Sequence, residues 1–176
     1  MNTKKSWRTL SLVVMFALLA APAALRGQDF VVPDGYAFKS QEDFAKYEPQ
    51  VLKCIEYLET APLGADAAKR RPANAFFMAW VQGAPNVNVE VQSYMMGLSS
   101  KNKDFILVFI AGWTRAELAH PGAADKSEYH LAGLRSIIKA YTQAAGVVQD
   151  DAVDAIVQQE KDGTLPGWLK AKLQGI

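Results

Sequence analysis

The chain has 176 residues, half of them hydrophobic, which is about one domain's worth of sequence with ample apolar material for a core. A disordered chain is excluded. Lys and Arg number 19 against 18 Asp and Glu, a formal net charge of +1, so no basic excess points to nucleic acid and no acidic tail is present.

That charge is unevenly placed. Lys4, Lys5 and Arg8 fall in the first ten residues, and every acidic residue lies at Asp29 or later. The cations precede an apolar run from Leu10 to Ala21 in which only Ser11 is polar, followed by the small residues Ala21-Pro22-Ala23. Charged, apolar and small segments in that order are the pattern of a secretory signal peptide over 1–23, with cleavage after Ala23 or as late as Gly27. The run is too short for a membrane span, which needs about 20 apolar residues, so no stable membrane anchor is expected after cleavage. From Gln28 onward fifteen basic residues stand against eighteen acidic ones, a net of −3. A mildly acidic exported chain, periplasmic or secreted, argues against nucleic acid as a partner. Cys54 is the single cysteine, which forbids an intramolecular disulfide and reads as a small buried hydrophobe.

Residues 28–39 read as an irregular arm with turn chemistry at Pro33-Asp34-Gly35. The region 40–176 reads as one helical domain. Ser40 with Asp43 forms an N-cap signature, and Pro49 is placed in the first turn of a second helix reaching about Thr60, with Val51, Leu52, Ile55 and Leu58 at helical spacing. Asp66 caps a short segment ending at Lys69-Arg70-Arg71, and Pro72 restarts a helix over 73–84 whose apolar residues on nearly every side predict a central position. Val87, Val89 and Val91 alternate with polar residues, an extended connector or minor strand pairing, and 92–98 has helical character. The run Phe105 to Ile110 fits a buried strand or a buried helix; the absence of proline through Ala119 favours a central helix over 104–120, with Gly112 its weak point. Further helices are expected over 127–145, with Leu131, Leu134, Ile138, Tyr141 and Ala145 inward and Arg135, Lys139 and Gln143 outward, over 151–162, and after Pro166. The fold class is therefore an all-α, compact domain of about five to six helices after a signal peptide. The alternative is an α+β fold with a short sheet around 87–91 and 105–111.

Few residue patterns carry chemistry. No nucleophile elbow, P-loop or dinucleotide-binding glycine fingerprint occurs, and no cofactor is implied. Glu117 and His120 share a helical face at the three-residue spacing of carboxylate-histidine metal sites, and His130, with Asp125 or Glu128, can approach them across Pro121-Gly122. Lys69, Arg70 and Arg71 form the one dense basic cluster, suited to an anionic group or an acidic partner. Trp113 and Arg115, beside Gly112, are candidates for lining a binding groove.

The stretches KRRPANAFFMAWVQGAPNVNVEV and NKDFILVFIAGWTRAEL together resemble a group of small exported helical proteins of bacteria with no assigned activity. That resemblance implies export and a helical 104–120, and it brings no catalytic residue. The functional expectation is an exported, non-enzymatic module binding a protein or a small ligand. Its rival is a metal-dependent enzyme or metal-binding protein using Glu117, His120 and His130.

Overall fold

The computed structural model describes residues 29–64, 68 and 70–175. The signal-peptide expectation over 1–23 therefore lies outside the described residues, as do Asp66 and Lys69. Among the described residues the chain forms seven α-helices and no strand: α1 (Gln41–Leu58), α2 (Arg70–Val81), α3 (Met95–Leu98), α4 (Phe105–Ala119), α5 (Ser127–Gln143), α6 (Asp151–Lys161) and α7 (Leu165–Gln174). The α+β alternative is overturned. Residues 87–91 run as an irregular connector, and 105–111 open α4, where the helix continues as far as Ala119.

Local chemistry explains where most helices begin and end. Ser40 caps α1 by accepting from the Asp43 N–H while the Asp43 carboxylate accepts from the Ser40 N–H, a reciprocal capping box. Asp150 caps α6 through the Ala152 N–H at 3.0 Å, and Gly163, at φ +70°, follows its C-terminus. Two boundaries depart from expectation. Pro49 does not start a second helix; it sits inside a continuous α1. A proline there gives the helix no N–H for the Ala45 carbonyl, and the preceding carbonyl, of Phe44, accepts from the Trp80 indole Nε1 of α2 at 3.0 Å. Pro72 likewise does not restart a helix, because it falls in the first turn of α2, where its missing N–H has no intrahelical acceptor to leave empty.

Two apolar cores share α4 as a common wall. On one side α1, α2 and the arm enclose Val51, Cys54, Ile55, Phe76, Phe77 and Trp80, with Ala111 from α4. On the other, α4 presents Phe105, Val108, Phe109 and Trp113 to Leu134 and Ile137 of α5, Val153 and Ile156 of α6 and Leu169 of α7. This double contact is why α4 is apolar all round. The same argument misplaced α2, expected at the centre, which buries Ala73, Phe76, Phe77 and Trp80 on α1 while Ala75 and Ala79 face solvent. Alanine costs little in water, so its periodicity carries no burial signal.

The arm is pinned by its rings. Tyr36 packs edge-on against Phe76 at 5.1 Å, Phe38 stacks on Phe44 at 5.4 Å, and Phe30 lies 5.8 Å from Phe76. A second docking point joins the end of α1 to the α5–α6 connection, where the Leu63 N–H donates to the Ala145 carbonyl at 2.8 Å. Gly146, at φ +79°, makes this approach possible, since a Cβ there would sit 2.1 Å from the Leu63 carbonyl oxygen.

Candidate functional site

The closest helix contact in the molecule brings α4 and α5 together at two glycines. A Cβ on Gly112 would lie 2.2 Å from Ser136 Oγ and 2.6 Å from the Ala132 carbonyl, and one on Gly133 would lie 2.5 Å from the Phe109 ring. Gly112, the expected weak point of α4, is thus what lets the two helices touch. The tight crossing turns α5 relative to the expected face: Gly133, Ser136, Ile137 and Ala140 are fully buried, while Leu131, Ile138 and Tyr141 are only partly so and Ala145 is exposed.

Above this crossing lies a buried ionic node. Glu59, the C-cap of α1, is wholly inaccessible to solvent. Its Oε1 accepts from Arg115 Nη2 of α4 at 2.7 Å and from Ser136 Oγ at 2.5 Å, and its Oε2 accepts from Lys139 Nζ of α5 at 2.8 Å. Burial pushes the Glu59 carboxyl upward, but the hydrogen bonds from Arg115, Lys139 and Ser136 together outweigh it and hold it below the usual carboxylate range. Both cations remain more than a third exposed. Arg115 therefore serves a structural anion and does not share a groove with Trp113, which is completely buried among Phe109, Tyr129 and His130. Lys139, expected to face away, reaches back to the same carboxylate.

The residues proposed for a metal site are drawn apart by their partners. Glu117 Oε2 accepts from Trp113 Nε1 at 2.8 Å and from the Asn88 N–H at 2.9 Å. His130 is buried against Trp113, edge to face with ring centroids 4.6 Å apart, and its Nδ1 is 2.8 Å from the Tyr94 hydroxyl. Burial lowers its pKa from the ordinary histidine value. His120 is exposed at the C-cap of α4, and its carbonyl accepts from the Tyr129 hydroxyl. Asp125, two residues before α5, accepts from the Ser127 N–H, and Glu128 is exposed. Among the described residues no group of three or more His, Cys, Asp or Glu gathers to hold a metal ion.

The basic cluster divides in the same way. Arg71 is exposed, whereas Arg70 is buried and donates from Nη1 to the Ala61 carbonyl at 3.2 Å, with Asp104 Oδ1 3.9 Å from its Nε. Its role is to close the end of α1. Cys54 is buried, donating to the Ala73 carbonyl at 3.4 Å, and burial pushes its thiol up to about 12.

A concavity among the described residues is bordered by aromatic and polar side chains. A groove of about 290 Å³ lies between the N-terminal half of α1 and the connection after α2, with Phe44, Ala45 and Trp80 along its length, Leu118 of α4 at its side, and Gln41, Glu48 and Asn86 at its rim. Gly83 admits the Phe44 ring, which a Cβ would meet at 2.6 Å. Glu48 enters none of the ion pairs formed among the described residues.

The groove and Glu59 both escaped sequence reasoning. Glu59 carried a faint signal, a carboxylate at a helix C-terminus where the dipole disfavours it. Set against known proteins, the chain matches no family model, no curated protein and no solved structure.

Proposed function

We propose that this chain is an exported binding module whose ligand seat is the groove beside Phe44 and Trp80. One observation carries the binding reading: a concavity beside α1 sets the partly exposed Phe44 ring next to the polar side chains of Gln41, Glu48 and Asn86. A groove of about 290 Å³ lies at the small end of ligand pockets. Export is supported by the cationic, apolar and small-residue order of residues 1–23. No helix among the described residues is long and apolar enough to cross a membrane.

The seat is tested by a fragment panel observed by NMR on the purified chain. Ala45 is exposed and lines the groove, so Ala45→Trp fills it without entering the core. Binders that perturb the Trp80 indole and Leu118 methyl signals, and lose this effect in Ala45→Trp, are the expected result; fragments that bind equally well to the plugged protein overturn it. Export is tested by mass analysis of the protein recovered outside the cytoplasm. An N-terminus at Ala24 or Gln28 is expected, and a chain retained inside the cell with Met1 intact refutes export.

A further inference from the structure

We infer that the connector from Val87 to Tyr94 is a cover over His130 that opens in acid while the helices stay folded. His130 projects from α5 into a box of rings and is only 2% exposed. Phe109 and Trp113 of α4 and Tyr94 of the connector have their centroids 6.0, 4.6 and 5.9 Å from its own. The α4 wall is fixed by the tight crossing at Gly112 and Gly133. The connector wall is weaker, since residues 87–92 form neither helix nor strand and Val89 and Tyr94 are only partly buried against the core. Its polar ties to α4 and α5 are few. The Asn88 N–H donates to Glu117 Oε2 at 2.9 Å, Lys126 Nζ donates to Glu90 Oε1 at 2.5 Å, and the Tyr94 hydroxyl lies 2.8 Å from His130 Nδ1.

A neutral imidazole suits this box, where a single proton serves the contact between the Tyr94 hydroxyl and Nδ1. In the protonated ring both nitrogens donate, and a full charge stands away from water. The charged groups around it do not offset that. Glu90 favours the imidazolium and Lys126 opposes it, and the two are paired with each other. Glu117 lies beyond Trp113 and accepts from its Nε1, and Lys172 of α7 sits over Trp168, the ring that backs Tyr94. Water reaches the charge most readily past the wall with the fewest contacts, which is the connector. In the closed form burial holds the ring below the ordinary histidine value, whereas the open form regains about 6.5. Below that pH the open form binds a proton that the closed form refuses. Its population grows by up to about tenfold per pH unit until the closed ring protonates as well.

The Asn88 amide, held by the Glu117 carboxylate, reports the cover, and the Ile137 amide in α5 reports the whole fold. Hydrogen exchange of both is followed by NMR on the purified chain between pH 7 and 5, with and without low urea. Asn88 is expected to exchange faster than Ile137 and without response to low urea, and to lose protection at least fivefold over this range. His130→Phe, which keeps a ring but cannot titrate, should make Asn88 protection independent of pH. In the unaltered chain the His130 Cε1 proton gives a second reading: Asn88 protection should fall above the midpoint of that ring's titration and level off below it. Protection of Asn88 that is flat with pH, or that still falls in His130→Phe, overturns the inference. Asn88 and Ile137 exchanging at one rate with one urea dependence overturns it too, because the connector then opens only with the entire fold.

Discussion

Glu59 is the residue on which three helices agree, and its protonation behaviour sets an acid limit on the fold. Its carboxyl is held below the usual carboxylate range in the folded chain, so its contribution is present above the ordinary carboxylate pKa and is lost as pH falls through the lower, folded value. Glu59→Gln removes the charge and most of the hydrogen bonding; since Arg115 and Lys139 can turn to water, we expect a loss of about 1–3 kcal/mol, read from the urea midpoint at pH 7. His130 acts earlier in the same direction. Burial depresses its pKa, so the unfolded chain takes up a proton first as pH drops below about 6.5, and stability declines from there until the folded ring also protonates. In His130→Phe the slope of the urea midpoint between pH 7 and 5 should flatten; an unchanged slope would place the titration elsewhere. Cys54, buried and with its thiol pushed up to about 12, should resist iodoacetamide in the native protein and react only after denaturation.

At the level of helices, the α4–α5 crossing depends on the absence of two carbons, the Cβ atoms that Gly112 and Gly133 lack. Replacing glycine by alanine inside a helix ordinarily gains about 1 kcal/mol. At Gly112 the new Cβ would lie 2.6 Å from the Ala132 carbonyl, a backbone atom that moves only if α5 moves, and this separation strains the Arg115 and Lys139 contacts with Glu59. Gly112→Ala should therefore cost about 1–3 kcal/mol, the range of an overpacked core, measured by thermal or urea unfolding. The helix limits themselves were largely readable, because caps and periodic apolar residues are local signals: Ser40 with Asp43 and the uninterrupted 105–119 run mark real ends. What escaped notice was relational. Periodicity finds an apolar stripe on α5 but cannot report that a glycine on α4 pulls it around toward Ser136 and Ile137. Nor does any spacing rule reveal that Trp80 offers a proton to the carbonyl next to the one Pro49 leaves bare. Glu117 and His120 are expected on one helical face, but α4 ends at Ala119 with His120 as its exposed C-cap, while Trp113 and Asn88 claim the buried Glu117 carboxylate, a competition visible only in three dimensions.

Over the whole molecule, α4 makes the two cores one cooperative unit. Ala111 faces one and Phe109 the other, so opening either exposes part of the same helix. Phe76→Ala in the first core and Ile137→Ala in the second should each lower the unfolding midpoint in a single transition, by about 2–5 kcal/mol. Two resolved transitions would show that the cores melt separately. The Glu59 node joins positions far apart along the chain, being 77 residues from Ser136 and 80 from Lys139. A contact of that span closes a long loop and tends to form late, once α4 and α5 have met. The node then works as a brake on escape and not as a guide to assembly: in stopped-flow experiments Glu59→Gln speeds unfolding and leaves the folding rate nearly unchanged.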